Sequence, residues 1–286
     1  MGNTPLVRLR TIVGDAPGEL WAKLEQFNPA GSVKDRAALW MTVAAEDDGS
    51  LAGGRTILDA TSGNTGVALA MVGAVLGHPV ELVMPDRVSI ERKRMAAAFG
   101  AEIALTDPLE GTDGAIREAQ RRAAEHPRRY AYVDQYSNPA NPRAHELTTG
   151  PEIWSDTHGR VTHVVAGVGT SGTVMGVSAA LRPKGVRIVA AQPAEPFHGI
   201  EGWKHMATAI RPKIWDEDAA DVHLAIPTDP ALEMTRRLAR EEGVFTGPSG
   251  GAAVLAALRT LQAEPGVVVV LIADGGERYL STPLFE

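Results

Sequence analysis

Lysine, serine, threonine and asparagine recur in this chain just after glycine- or proline-rich bends, where helix-forming stretches begin. Lys34 is the sharpest case. In Asn28-Pro29-Ala30-Gly31-Ser32-Val33-Lys34-Asp35-Arg36, Pro29 and Gly31 punctuate, Ser32 offers a cap, and Ala37-Ala38-Leu39-Trp40-Met41 continues as a helix. Lys34 therefore falls in a first helical turn. Positive potential at a helix N-terminus disfavours an ammonium and favours the free amine, the form that makes a Schiff base with a carbonyl. The plainer alternative is a surface lysine paired with Asp35 or Glu25.

Gly167-Val168-Gly169-Thr170-Ser171-Gly172 is a G-x-G-x-x-G between a strand-like and a helix-like stretch, and Glu195 lies 23 residues beyond Gly172. That matches a dinucleotide site with its ribose-binding acid. It equally suits any phosphate, because glycines let backbone N–H groups converge at a helix N-terminus. The hydroxyls of Thr170, Ser171 and Thr173 favour a compact monophosphate. A tight turn with close helix packing is the remaining alternative.

Thr61-Ser62-Gly63-Asn64-Thr65-Gly66 has the same logic with more side-chain polarity. Ser62, Thr65 and backbone N–H groups suit a carboxylate, or simply cap a helix. Gln135, just past a strand, offers a second donor to that anion or sits in a solvated loop. Ser249, in Gly247-Pro248-Ser249-Gly250-Gly251, either caps a helix or presents a neutral hydroxyl to a ring nitrogen. It lacks the G-x-S-x-G context of a hydrolase nucleophile. The eight histidines show no ligand spacing, and no metal site is expected.

These residues need elements to position them. Strands are expected at 19–24, 56–60, 80–84, 102–105, 130–133, 161–166, 187–192 and 267–273. Helices are expected from Lys34 and at 67–76, 89–99, 112–125, 174–181, 229–242 and 252–261. Alternating strands and helices predict an open α/β fold with mostly parallel sheets, in two halves, with ligands beyond the carboxyl ends of the strands. The chain has 286 residues, 44% hydrophobic and 22% charged, enough for a substantial core. A net charge of −7 without a basic run argues against a nucleic-acid surface. With no cysteine there is no disulfide framework, thiolate nucleophile or cysteine zinc site. The first residues lack a basic flank and an apolar core, and no apolar run is long enough to span a bilayer, so the expected location is cytoplasmic.

Taken together, these motifs resemble the fold-type II pyridoxal-phosphate enzymes, tryptophan synthase β-like in fold. More closely they resemble the cysteine synthase (O-acetylserine sulfhydrylase) family, in its B-type branch. The likeness covers Gly2 to Leu6, Asn28 to Arg36, Thr61 to Gly66, Gln135 to Pro142, Thr149 to Trp154, Gly169 to Thr173 and Arg278 to Thr282. It implies a smaller mobile domain, 28–138, a larger one, 1–27 with 139–286, and pyridoxal 5'-phosphate in the cleft between them. It further implies that Lys34 holds the cofactor and that Gly169, Thr170, Ser171, Gly172 and Thr173 hold its phosphate. Asn64 would bond the 3′ oxygen, Ser249 would face the ring nitrogen, and Thr61, Ser62, Thr65 and Gln135 would bind the substrate carboxylate. The implied reaction is β-replacement on O-acetyl-L-serine by sulfide, through an aminoacrylate, giving cysteine and acetate in a homodimer.

Alternatives within the fold are cystathionine β-synthase-like or dehydratase-like enzymes acting on O-phosphoserine or serine. From other classes come a dinucleotide-binding oxidoreductase and a binding protein without turnover. Two departures bear on the sulfur donor. B-type relatives commonly carry two arginines before the tryptophan in the loop that here reads Gly199-Ile200-Glu201-Gly202-Trp203, and a cysteine where Ala273 stands. Their absence favours sulfide over thiosulfate. The start of the chain close to its first motif is expected to weaken a dimer contact.

Overall fold

The computed structural model describes residues 1–61 and 63–286. In chain order its elements are β1 (Leu6–Leu9), β2 (Gly18–Leu24), α1 (Lys34–Asp47), β3 (Thr56–Ala60), α2 (Asn64–Leu76), β4 (Val80–Pro85), α3 (Ile90–Ala98), β5 (Glu102–Thr106), α4 (Gly111–Glu125) and β6 (Tyr130–Tyr132). There follow α5 (Ala140–Ala144), α6 (Gly150–Asp156), β7 (His163–Gly167), α7 (Gly172–Leu181), β8 (Arg187–Pro193), β9 (Val222–Ile226), α8 (Thr228–Arg237), α9 (Pro248–Ala263) and β10 (Gly266–Ile272). The chain divides into two compact units, Met1–Val33 with Pro142–Glu286, and Lys34–Asn141.

The larger unit holds a six-stranded sheet in the order β1-β2-β10-β7-β8-β9. Only the β1–β2 pair is antiparallel; Leu20 pairs Val268, Val269 pairs Val164, and Val165 pairs Val189 along parallel neighbours. The continuous apolar run of β10 follows from burial on both faces. Val268, Val270 and Ile272 pack with Leu20, Ala22 and the α8–α9 residues Ala231, Met234 and Leu261. Val269 and Leu271 point the other way, into a core with Ile153 of α6 and Val174 and Val177 of α7.

The smaller unit holds a four-stranded, all-parallel sheet in the order β5-β4-β3-β6. Leu58, Ala60 and Val83 pack with Ala115, Ile116 and Ala119 of α4. The alanine- and glycine-rich α2 is buried from Thr65 to Gly73, which lets it pack closely against α1 and the sheet. β1 and β9 were absent from the expected strands. Both are edge strands with little buried apolar surface, so their period-2 signal is short. Among the described residues, no helix is long and apolar enough to cross a membrane.

Candidate active site

The larger unit builds three loops at the carboxyl ends of its adjacent strands β2, β10 and β7. β2 delivers the Lys34 turn. Asn28 organises it, accepting from the Gly2 N–H (2.9 Å) and donating to the Glu25 carboxylate (2.9 Å). Thr4 donates to the other Glu25 oxygen (2.7 Å), and Gly31 N–H donates to Asn28 O (2.8 Å). The buried Arg278 donates through Nη2 to Ala30 O, and a Cβ at Gly31, where φ is +80°, would overlap that guanidinium. Val33 N–H then bonds Ala273 O (2.8 Å), and Ser32 bridges Asp274. The next residue is Lys34, which opens α1 as expected and is half-buried.

The segment after β10 also anchors the Ser249 loop. Thr246 bridges Gly275, and its hydroxyl donates to Asp274 O (3.0 Å). Asp274 also accepts from the Tyr279 hydroxyl (2.8 Å). Ser249 is buried in the first turn of α9, and the cap of that helix is Gly247, so Ser249 is not the cap.

The third loop runs from β7 into α7. Ser171, at φ +73°, adopts the left-handed region, and its buried Oγ has no hydrogen-bond partner among the described residues. A Cβ at Gly169 would overlap Gly202 O, and one at Gly167 would overlap the Trp203 ring. Lys204 N–H donates to Val168 O (2.8 Å), so the 199–204 loop lies along the glycine loop. Thr173 Oγ1 lies 3.4 Å from His145 Nε2. A helix N-terminus, backbone with no room for side chains and an orphaned hydroxyl fit a phosphate group.

The smaller unit brings Thr61, Thr65 and Gln135 together beyond β3 and β6. Thr61 Oγ1 accepts from the N–H groups of Gly63 (3.0 Å) and Gly66 (3.2 Å). Thr65 Oγ1 donates to Gln135 Oε1 (2.6 Å), and Gln135 Nε2 donates to Ala60 O (2.7 Å) and Asp59 Oδ2 (3.0 Å). Asn64 opens α2, and Ser62 lies outside the described residues. Burial, and secondarily the Asp134 carboxylate, hold the Asp59 carboxyl well above the usual carboxylate range; hydrogen bonds from Ala60 and Gln135 pull the other way. Arg92 packs across Gly63, where a Cβ would overlap its Cδ. In α3 only Arg92 and Ala96 are buried, and an arginine in that i, i+4 inward pair was the signal to look for. Glu25 and Arg278 in the larger unit and Asp59 in the smaller were also missed as supports of these loops. Among the described residues, no group of three or more His, Cys, Asp or Glu is placed to hold a metal ion.

The family model for pyridoxal-phosphate dependent enzymes matches residues 1–274. A cysteine synthase of Aquifex aeolicus is 50% identical over 296 residues, covering 100% of this chain and 90% of that one. A cysteine synthase B of Salmonella typhimurium is 46% identical over 292 residues, covering 100% and 94%. The solved cysteine synthase of Entamoeba histolytica superposes with a TM-score of 0.93 at 39% identity, covering 100% of this chain and 88% of that chain. These matches bear out the resemblance and the fold type, and they take the glycine loop away from the dinucleotide reading; Glu195 is an exposed residue beyond β8. The chain belongs to the family of pyridoxal-phosphate-dependent enzymes.

Proposed function

We propose that this protein makes L-cysteine and acetate from O-acetyl-L-serine and sulfide by β-replacement. The observation that carries the reading is the end-to-end similarity to cysteine synthases, at 50% identity in the Aquifex protein. The cofactor, when bound, supplies an electron sink for the charge left at the substrate α-carbon. Lys34 would hold it through Nζ, and as a free amine the same Nζ would take the substrate α-proton and later return it. The Gly169–Thr173 loop holds the phosphate, with Ser171 Oγ supplying a buried donor. Asn64 bonds the ring oxygen. Ser249 would face the ring nitrogen with a neutral hydroxyl, which lacks the acidity to protonate it.

Thr61, Ser62 and Thr65 bind the substrate carboxylate at the start of α2, where helix potential favours an anion, and Gln135, whose two amide hydrogens go to Ala60 O and Asp59 Oδ2, acts on that site through the Thr65 hydroxyl. Glu201 and Gly202, standing where B-type relatives carry arginines, leave no guanidinium pair for a larger anionic donor; sulfide is the donor. The protein works as a cytoplasmic homodimer. The test is an absorption spectrum of the purified, cofactor-loaded protein with O-acetylserine, O-phosphoserine and serine in turn. The expected result is a lysine-adduct band that shifts only with O-acetylserine and returns on adding sulfide. A band that ignores O-acetylserine removes the substrate assignment.

A further inference from the structure

The amide of Gln135 is held in one orientation, and Asp59 is part of what holds it. Ala60 O can only accept, so the atom 2.7 Å from it is the amide nitrogen, and the end facing Thr65 is the oxygen. The second amide hydrogen goes to Asp59 Oδ2 at 3.0 Å. Asp134, at φ +43°, turns the chain sharply at this point, and Asn141 Nδ2 fixes the Gln135 backbone through its carbonyl (2.8 Å). Asp59 is wholly buried in β3, two residues before Thr61. Asp134 is a like charge for it, and its carboxyl is held in the protonated direction by burial. A buried acid in the strand that feeds a binding loop has no part in the chemistry described above.

We infer that Asp59 is a positioning residue: it accepts from Gln135 Nε2 and so keeps Gln135 Oε1 on the Thr65 hydroxyl, presetting the carboxylate-binding loop. The inference rests on the reading of Thr65 and Gln135 as part of that site. An entering carboxylate then competes with a neutral amide oxygen for the Thr65 proton, and an anionic acceptor wins that exchange. Without Asp59 the amide keeps Ala60 alone on its nitrogen and rotates more freely.

Asp59→Leu keeps the shape and removes the acceptor. It is expected to raise the KM for O-acetylserine about tenfold with kcat within about twofold. Asp59→Asn, which retains an acceptor oxygen, is expected to restore KM. In a Gln135→Leu background the Asp59→Leu change should have no further effect on KM, because the two act as one unit. A readout independent of turnover is hydrogen exchange of the Gln135 side-chain NH2 in 15N-labelled protein. Slow exchange is expected in wild type and Asp59→Asn, and faster exchange in Asp59→Leu. Exchange in wild type as fast as in a solvent-exposed glutamine overturns the inference, even if Asp59→Leu fails to fold. So does a wild-type KM in folded Asp59→Leu. If O-acetylserine is not turned over at all, the proposed function fails, while the exchange measurement still decides the role of Asp59.

Discussion

Ser171 combines a left-handed backbone with a buried hydroxyl, and two substitutions separate those properties. Ser171→Ala removes the hydroxyl and keeps the strain; Ser171→Gly removes both. Both variants are expected to bind pyridoxal phosphate about tenfold more weakly by fluorescence titration. Cofactor-free Ser171→Gly should be the more stable of the two by about 1 kcal/mol in urea. Asp59 gives a test in pH. Its folded carboxyl lies well above the usual range, from burial first and Asp134 second, so the folded protein keeps a proton that the unfolded chain releases. Its contribution to stability is therefore complete below about pH 4 and is lost as pH rises through the folded value. Asp59→Asn has no such dependence. Its Tm relative to wild type should rise as pH increases from about 4 toward the folded value, and a flat difference would reject the buried, protonated acid. That Lys34, Asn64, Ser171 and Ser249 stand at helix starts was legible in sequence because the signal is local: a bend, a hydroxyl or amide, and a helix-forming run. Arg278 and Asp59 were not, because their partners are distant. Arg278 meets Ala30 across 248 positions, and Asp59 meets Gln135 across 76.

Among elements, β10 was the plainest in the sequence, since burial on both faces makes it an unbroken apolar run. β1 escaped because its role is visible only through its partner. Its register sets Leu6 opposite Lys23 of β2, a fully buried lysine in an otherwise apolar stretch. Lys23 Nζ meets Thr4 O at 2.7 Å, Asp156 at 2.8 Å and Glu152 at 3.0 Å, tying the approach to β1 and both ends of α6 to one strand. Lys23→Ala is expected to destabilise the protein by about 2 kcal/mol in urea unfolding. That is less than for a fully buried pair, because Asp156 keeps 38% of its side chain in water. Thr4 also supports Glu25 and hence the Lys34 turn, so the variant should lose cofactor affinity as well.

At the scale of the whole molecule, two units with separate cores predict unfolding that is not two-state. The probes are already distributed. Trp21, Trp154, Trp203 and Trp215 lie in the larger unit, while three of the four tyrosines, Tyr130, Tyr132 and Tyr136, lie in the smaller and Tyr279 alone in the larger, so that tyrosine signals weigh toward the smaller unit. In a Trp40→Phe background, tryptophan fluorescence and tyrosine near-ultraviolet signals should trace different urea curves; coincident curves would show one cooperative block. The parallel halves were legible from strand–helix alternation, but strand order was not, since β2 pairs with a strand at the far end of the chain. That order bears on synthesis. The 34–141 stretch contains all its strands in one unbroken run and is complete well before the chain ends. β10, by contrast, is a central strand of the six-stranded sheet and the last of that sheet's strands to leave the ribosome. Translation at about 5–20 residues per second leaves the nascent β2 edge waiting on the order of ten seconds or more for its partner. During that interval an apolar strand lies open to mispairing, and chaperone capture on the ribosome has its clearest target there.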